Sequence, residues 1–189
     1  MLTQIDYRRA VNSDFPQILA LQAQNLRWNL DEAQQQQGFL SVEYNAQDLA
    51  AINQGLGIFV AQEGDRILAY AMAVTAEFAS GVPLIAYMAS RFPGARFQGQ
   101  PVSALRYLIY GPVCIDRAAR GHGLLNGLLR AISAAQSAHF DLGIAFIAQS
   151  NAHSYHAHVR KNKMTVIDEF EFDGRQFWTV AFCLADRTA

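Results

Sequence analysis

The sequence predicts a single domain of mixed α/β class, and three observations predict it. Segments of strand-like and helix-like periodicity follow one another along 189 residues as β, α, α, β, β, an irregular stretch, then β, α, β, α, β, β. Hydrophobic residues make up 51% of the chain, enough for one core at this length. Residues 115–132, IDRAARGHGLLNGLLRAI, carry an apolar strand-like run through two glycines straight into an amphipathic helix pattern.

Each element has a local reason. Residues 3–11 (TQIDYRRAV) suit a first strand, and Asn12-Ser13-Asp14 then offers N-cap side chains, with Pro16 in the first turn where its missing donor does no harm. Phe15, Ile18, Leu19, Gln22 and Leu26 recur at helical spacing, with Leu21 beside them. The Gln34 to Gln37 run reads as a solvated helix end. Asn45 and Asp48 form a capping pattern for a helix from Ala46 to Gln54, stopped by Gly55. Gly57 to Gln62 and Arg66 to Thr75 make a hairpin around Glu63-Gly64-Asp65. Residues 76–106 break the rhythm and read as an inserted lobe, with a helix from Val82 to Phe92. Strand Tyr107 to Ile115 holds Gly111-Pro112 in its interior, where the missing proline donor predicts a bulge. Helix 122–137, strand Leu142 to Ala148, helix Asn151 to Asn162, strand Thr165 to Phe172, a turn at Asp173-Gly174 and strand Gln176 to Leu184 complete the order.

Composition narrows the function. Lys plus Arg number 15 against 16 for Asp plus Glu, so there is no broad basic field for a nucleic acid. The two cysteines, Cys114 and Cys183, sit in apolar runs and read as buried thiols rather than a disulfide framework. MLTQIDYRRA lacks the apolar region of a signal peptide, and no apolar run approaches ~18 residues. A soluble cytoplasmic protein with no membrane partner is the expectation, and a homodimer stays open.

The glycines pose the functional question. The first amides of a helix have no intrahelical acceptor, an anion supplies one with help from the helix dipole, and glycine lets it approach the backbone. Leu124, Leu125, Leu128, Leu129 and Ile132 hold one helix face in the core and aim the N-terminus outward. The junction can thus be a phosphate cradle, with a plain tight turn as the alternative. The dinucleotide fingerprint G-x-G-x-x-G would need Gly or Ala at Asn126, and a Walker loop would need Gly-Lys-Ser/Thr.

Arg120-Gly121-His122-Gly123-Leu124-Leu125 resembles the acetyl-CoA loop of the GCN5-related N-acetyltransferases (GNAT), approximately Arg/Gln-x-x-Gly-x-Gly/Ala, and departs from it at Leu125. The order of elements is similar across nearly the whole chain. The resemblance implies a central, mostly antiparallel twisted sheet splayed at the bulged strand and flanked by helices. It implies acetyl-CoA as co-substrate, with Arg120, Gly121, His122, Gly123, Leu124 and Leu125 cradling the pyrophosphate and Val113 and Ile115 pairing with the pantetheine arm. In such proteins the later helix starts with Asn, with Ala or Ser three positions on and Tyr or sometimes His at seven. Here these are Asn151, Ser154 and His158, which fall within a ~60° sector of the helix. A solvent-facing stripe is the alternative reading of that triplet. His153, His156 and His158 do not complete a metal set, so no metal is expected.

Acyl transfer to an amine needs a neutral amine, a polarised carbonyl and a proton for the departing thiolate. His158 stands where such proteins put the tyrosine acid and is the first candidate for that role, with Tyr155 the second. Glu77 and Tyr110 are candidate bases, and Glu32 is a further acidic candidate. Trp28, Phe39, Tyr44, Phe78, Tyr87 and Phe92 are candidates to line an acceptor pocket. A small amine, an amino acid and a peptide N-terminus all remain open as acceptor. Two other functions stay in view: a catalytically silent acyl-CoA sensor of the same fold, and an unrelated nucleotide-binding α/β protein.

Overall fold

The structure, a computed structural model, describes residues 4–187. Seven strands form one sheet: β1 (Asp6–Arg9), β2 (Gly57–Glu63), β3 (Arg66–Val74), β4 (Tyr107–Ile115), β5 (Leu142–Ala148), β6 (Thr165–Phe172) and β7 (Arg175–Cys183). Their spatial order is β1-β2-β3-β4-β5-β7-β6, and every neighbouring pair is antiparallel except β4 with β5. The flanking helices are α1 (Phe15–Ala23), α2 (Ala46–Gln54), α3 (Pro83–Ser90), α4 (Leu124–Gln136) and α5 (Ala152–Tyr155), the last continuing into a π-helical stretch, His156–Lys161.

Local chemistry sets most boundaries. The carboxylate of Asp14 accepts from the Val11 amide at 2.8 Å and receives both terminal nitrogens of Arg8, at 2.7 and 3.0 Å, which fixes the entry to α1. Asn45 accepts from the amides of Gln47 and Asp48 while Asp48 accepts from that of Asn45, so α2 spans the residues its capping pattern predicts. The Gln34 region forms a short helical turn, Glu32–Gln35, capped by Asp31.

The sheet is covered on both faces. Ile18, Leu49, Ile52 and Met88 bring α1, α2 and α3 onto one side together with Ile58 and Met72 of the sheet. On the other, Leu124, Leu128, Leu129 and Ile132 of α4 pack over Ala61, Ala69, Ala71 and Ala73. Each fully buried α4 side chain contributes on the order of 1.5–3 kcal/mol, and the alanine surface beneath allows close approach. Gly127 extends that closeness, since a Cβ there would lie 2.1 Å from the Tyr7 ring. Residues 76–106 connect β3 to β4; within them α3 is tied to β6 by Arg91, whose Nε donates to Asp168 at 2.5 Å. The segment also contains a helical turn, Ala76–Ala79, and a two-residue hairpin, Arg96–Phe97 with Gln100–Pro101. Among the described residues, no helix is long and apolar enough to cross a membrane.

Two irregularities open the middle of the sheet. Val113 pairs with Ala71 and Tyr110 with Ala73, so Gly111 and Pro112 together oppose Met72: the bulge expected from the proline. Gly111 has φ of 111°, which only glycine adopts without strain. Pairing between β4 and β5 ends at Ile109 with Ile144, although both strands run on, so the two diverge into a cleft.

Candidate active site

The glycine junction lies at the mouth of that cleft. After β4 the chain passes through a 3-10 turn, Arg117–Ala119, capped by Asp116, which accepts from the Ala118 amide at 2.8 Å. Gly121 and Gly123 then adopt left-handed backbone, φ 85° and 81°, and Gly123 is the N-cap of α4 with no side chain to offer. A Cβ on either glycine would project into open space. Among the described residues, no protein group accepts from the amides of Gly121, His122, Gly123, Leu124 or Leu125. Leu124 and Leu125 bury their side chains in the α4 core, so the bulk of Leu125 is directed inward from the helix mouth.

A groove of about 740 Å³ runs beside the junction. Arg130 of α4, Lys161 and Lys163 at the end of the π-helical stretch, and Arg187 near the C-terminus line it, against the single carboxylate of Asp186. These cations come from three separate segments of a chain with net charge −1, so no run in the sequence announces the patch beyond Lys161-Asn162-Lys163. His122 turns its Nδ1 back to the Arg120 carbonyl, at 3.1 Å, and does not line the groove. Arg120 is half-buried and braces the loop: Nε donates to the Ile115 carbonyl at 3.3 Å, Nη2 to Asn25 Oδ1 at 2.7 Å, and Nη1 to the Gln37 carbonyl. Burial lowers its pKa from the usual arginine value.

The free edge of β4 continues the path inward. The Asp116 amide donates to the Leu68 carbonyl at 2.7 Å, which sets the phase of the β3–β4 ladder. Val113 and Ile115, opposite Ala71 and Ala69, are therefore non-hydrogen-bonded positions whose N–H and C=O groups point away from β3. On that side β5 has already diverged. A slot of about 80 Å³ lies there between Val113, Ile115, Gly38, Asn151, Ser154 and His158.

Asn151, Ser154 and His158 converge as the helical spacing predicts, but with different tasks. Asn151 is buried and caps α5, accepting from the Ser154 amide at 3.1 Å and donating to the Phe39 carbonyl at 3.2 Å. His158 is 7% exposed, and its Nδ1 lies 2.8 Å from the Ser154 carbonyl and 3.3 Å from the Ser154 hydroxyl. A carbonyl only accepts, so the neutral ring carries its proton on Nδ1 and leaves Nε2 as a bare lone pair. Burial pushes the His158 pKa down to about 4, with the Arg187 cation, and His153 when protonated, adding to the effect. The ring is thus neutral at pH 7, and Nε2 can accept a proton but has none to give.

The other candidates are placed less centrally. Tyr155 packs against Trp178, with ring centroids 4.2 Å apart and the rings tilted by 43°, and lines neither slot. Tyr110 is buried with its hydroxyl 3.1 Å from Met164 Sδ, and burial raises its pKa, so it stays protonated. Glu77 and Glu32 are exposed and line neither slot. A second slot of about 100 Å³ follows beyond the bulge, sharing Val113, Asn151, Ser154 and His158 with the first. Of the six aromatic candidates only Phe39 and Tyr44 line it; Trp28, Phe78 and Tyr87 are exposed and Phe92 is core. Leu40, Val42, Ile85, Pro112 and Phe146 supply most of its remaining apolar bulk. Their positions depend on how α3 and the loop before α2 dock, which residue spacing does not encode.

No family model matches this chain, and no curated protein matches it. Solved structures do, at low identity and over nearly the full length. A GNAT-family acetyltransferase of Streptococcus agalactiae 2603 superposes with a TM-score of 0.66 at 17% identity, covering 97% of each chain. yncA from Salmonella typhimurium, solved with its cofactor acetyl-CoA, has a TM-score of 0.61 at 17% identity over 99% of this chain and 98% of that one. A ribosomal-protein-alanine N-acetyltransferase of Brucella melitensis has a TM-score of 0.59 at 18% identity over 94% of this chain and 99% of its own. The chain has the GNAT fold that the glycine junction and the element order predict.

Proposed function

We propose that the protein is an acetyl-CoA-dependent N-acetyltransferase. One observation carries the reading: the unbonded amides of residues 121–125 open beside the free edge of a bulged strand. Main-chain donors at a helix start suit a pyrophosphate, and the open-space positions at Gly121 and Gly123 leave it room. Arg130, Lys161, Lys163 and Arg187 supply positive charge for the remaining phosphate of the cofactor. When bound, acetyl-CoA provides an activated acetyl carbonyl and a thiolate leaving group. The Val113 and Ile115 amides suit an extended pantetheine amide chain, and main-chain donors beside the bulge would polarise the acetyl carbonyl of a bound cofactor.

Proton handling falls to His158. The amine lone pair forms the new C–N bond as the C–S bond breaks, and the amine must lose one proton while the sulfur must gain one. Nε2 of the neutral ring accepts that proton from the amine nitrogen. A ring with a pKa near 4 releases it readily to the sulfur, giving amide and free thiol. His158 therefore works as an acceptor and relay rather than as the standing acid its position suggests, and Ser154 fixes the tautomer that makes this workable.

A ligand-dependent melting screen with acetyl-CoA, ATP and NAD tests the reading. Acetyl-CoA alone is expected to raise Tm, and Gly121→Glu to abolish the shift by filling the cradle with a carboxylate. A shift with ATP or NAD and none with acetyl-CoA would refute it. Thiol release in the presence of amines then separates an enzyme from a silent acyl-CoA sensor, a reading favoured by a histidine at 158 in place of a tyrosine and by a Tyr110 hydroxyl committed to Met164.

A further inference from the structure

The slot beyond the bulge is walled without charge. Among the described residues, no Asp, Glu, Lys or Arg lines it. Its body is Phe39, Leu40, Val42, Ile85, Pro112 and Phe146. Of the polar groups that reach it, the Asn151 amide is committed to Phe39 and Ser154, the Tyr110 hydroxyl to Met164 and the His158 Nδ1 to the Ser154 carbonyl, while Ser41 and Tyr44 add neutral hydroxyls. Glu32, Glu43 and Glu77 are exposed and off the wall, and Asp48, whose charge acts on Tyr44, is also off the wall with its carboxylate held by the Asn45 amide.

We propose that the acceptor is a small apolar amine that is uncharged in neutral water, with arylamines the class that fits; this rests on the acetyl-transfer reading above. An ammonium entering the slot would lose its hydration with no counter-charge to replace it, at an effective cost of several kcal/mol. A carboxylate on the acceptor meets the same obstacle, which disfavours free amino acids. An alkylamine resembles the lysine ε-amine, with a pKa near ~10.4, so that only about one molecule in a few thousand is neutral at pH 7. An arylamine delocalises its lone pair into the ring and enters neutral. Its nitrogen becomes acidic only as the C–N bond forms, when even the weakly basic Nε2 of His158 can take the proton and pass it to the departing sulfur. The slot, about 100 Å³ and open at one side, is of the order of a cavity that holds one benzene ring.

Thiol release from acetyl-CoA with aniline, benzylamine and phenylalanine, together with the acetyl-CoA melting shift, tests this. The expected result is a kcat/KM for aniline at least about tenfold above that for benzylamine at pH 7.5, with phenylalanine inert. Ser41→Asp, which adds a carboxylate to the half-buried wall of the slot, should narrow or reverse the aniline preference. Benzylamine or phenylalanine turned over as well as aniline overturns the acceptor class and leaves acetyl transfer standing. A melting shift with no turnover of aniline likewise overturns the class, whereas no melting shift at all overturns both.

Discussion

Gly123→Ala separates a structural glycine from a ligand-cradling one, because Gly174→Ala supplies a matched control. Both glycines have left-handed backbone, φ 81° and 66°, and a Cβ on either meets nothing within 4 Å. Each alanine should cost about 1–2 kcal/mol of backbone strain, which in a chain of this size lowers Tm by ~2–8 °C. The difference lies in what the added methyl faces. At Gly174 it is the solvent around the β6–β7 turn; at Gly123 it is the space above five unbonded amides. Displacing a phosphate from one charge-assisted bond removes ~1.5–3 kcal/mol, weakening acetyl-CoA by about 10- to 150-fold. With acetyl-CoA at 100 times the wild-type Kd, wild type gains ~2.7 kcal/mol, or about 5–11 °C. A variant bound 100-fold more weakly keeps only ~0.4 kcal/mol, about 1–2 °C. Differential scanning fluorimetry with and without ligand reads both numbers for both variants. Equal ligand shifts in Gly123→Ala and Gly174→Ala would refute the cradle, whatever the apo stabilities.

Two further outcomes follow from packing and charge. Gly143→Ala on β5 would place a Cβ 2.3 Å from the Phe182 ring, so it should destabilise by about 1–3 kcal/mol in urea unfolding; a neutral result would mean that the ring moves freely. The His158 pKa is held near 4 when folded against 6.5 for the free side chain. Between these values the unfolded chain binds more protons, so this contribution to stability is present above pH 6.5 and is lost as pH falls toward 4. The loss is on the order of 3 kcal/mol, and His158→Gln should remove that slope. Parallel stability–pH curves for wild type and variant would show that burial, helped by Arg187, does not hold the ring neutral.

Legibility in the sequence followed the range of the interaction that decides each feature. The bounds of α2 rest on side chains within three residues of the helix start, β5 on an apolar run, and β6 on a run of β-branched and aromatic residues interrupted by acids and closed by Asp173-Gly174; all three lie where the sequence places them. The Gly111-Pro112 bulge was readable because a missing donor is a property of one residue. The helix expected over 151–162 is instead four α-helical residues followed by a wider π-turn, a change that residue type does not announce. Which way a ring faces was not readable at all. By spacing His158 is the first candidate acid and Tyr155 the second, yet Tyr155 is claimed by Trp178 and His158 by Ser154. Phe92 and Tyr87 look alike as pocket candidates, and tertiary docking sends one into the core against Tyr107 and the other outward over Phe170 and Phe172.

The bulge and the loop act together because Arg120 joins them. The β3–β4 ladder turns the Val113 and Ile115 main chain toward the cleft, and the loss of β5 pairing after Ile109 leaves that edge open. An open edge inside a sheet would ordinarily relax or pair with another strand. Here the guanidinium of Arg120 takes the Ile115 carbonyl while its other nitrogens hold Asn25 and Gln37, so the edge stays in register and the loop before α2 is drawn across it. The same residue begins the glycine turn, which ties the position of the helix-start amides to the strand edge through one side chain. A lysine, with a single ammonium, could not bridge three acceptors in that planar spread. The arginine at the head of the glycine pattern thus aligns the two halves of the cleft while lining the groove beside the glycines.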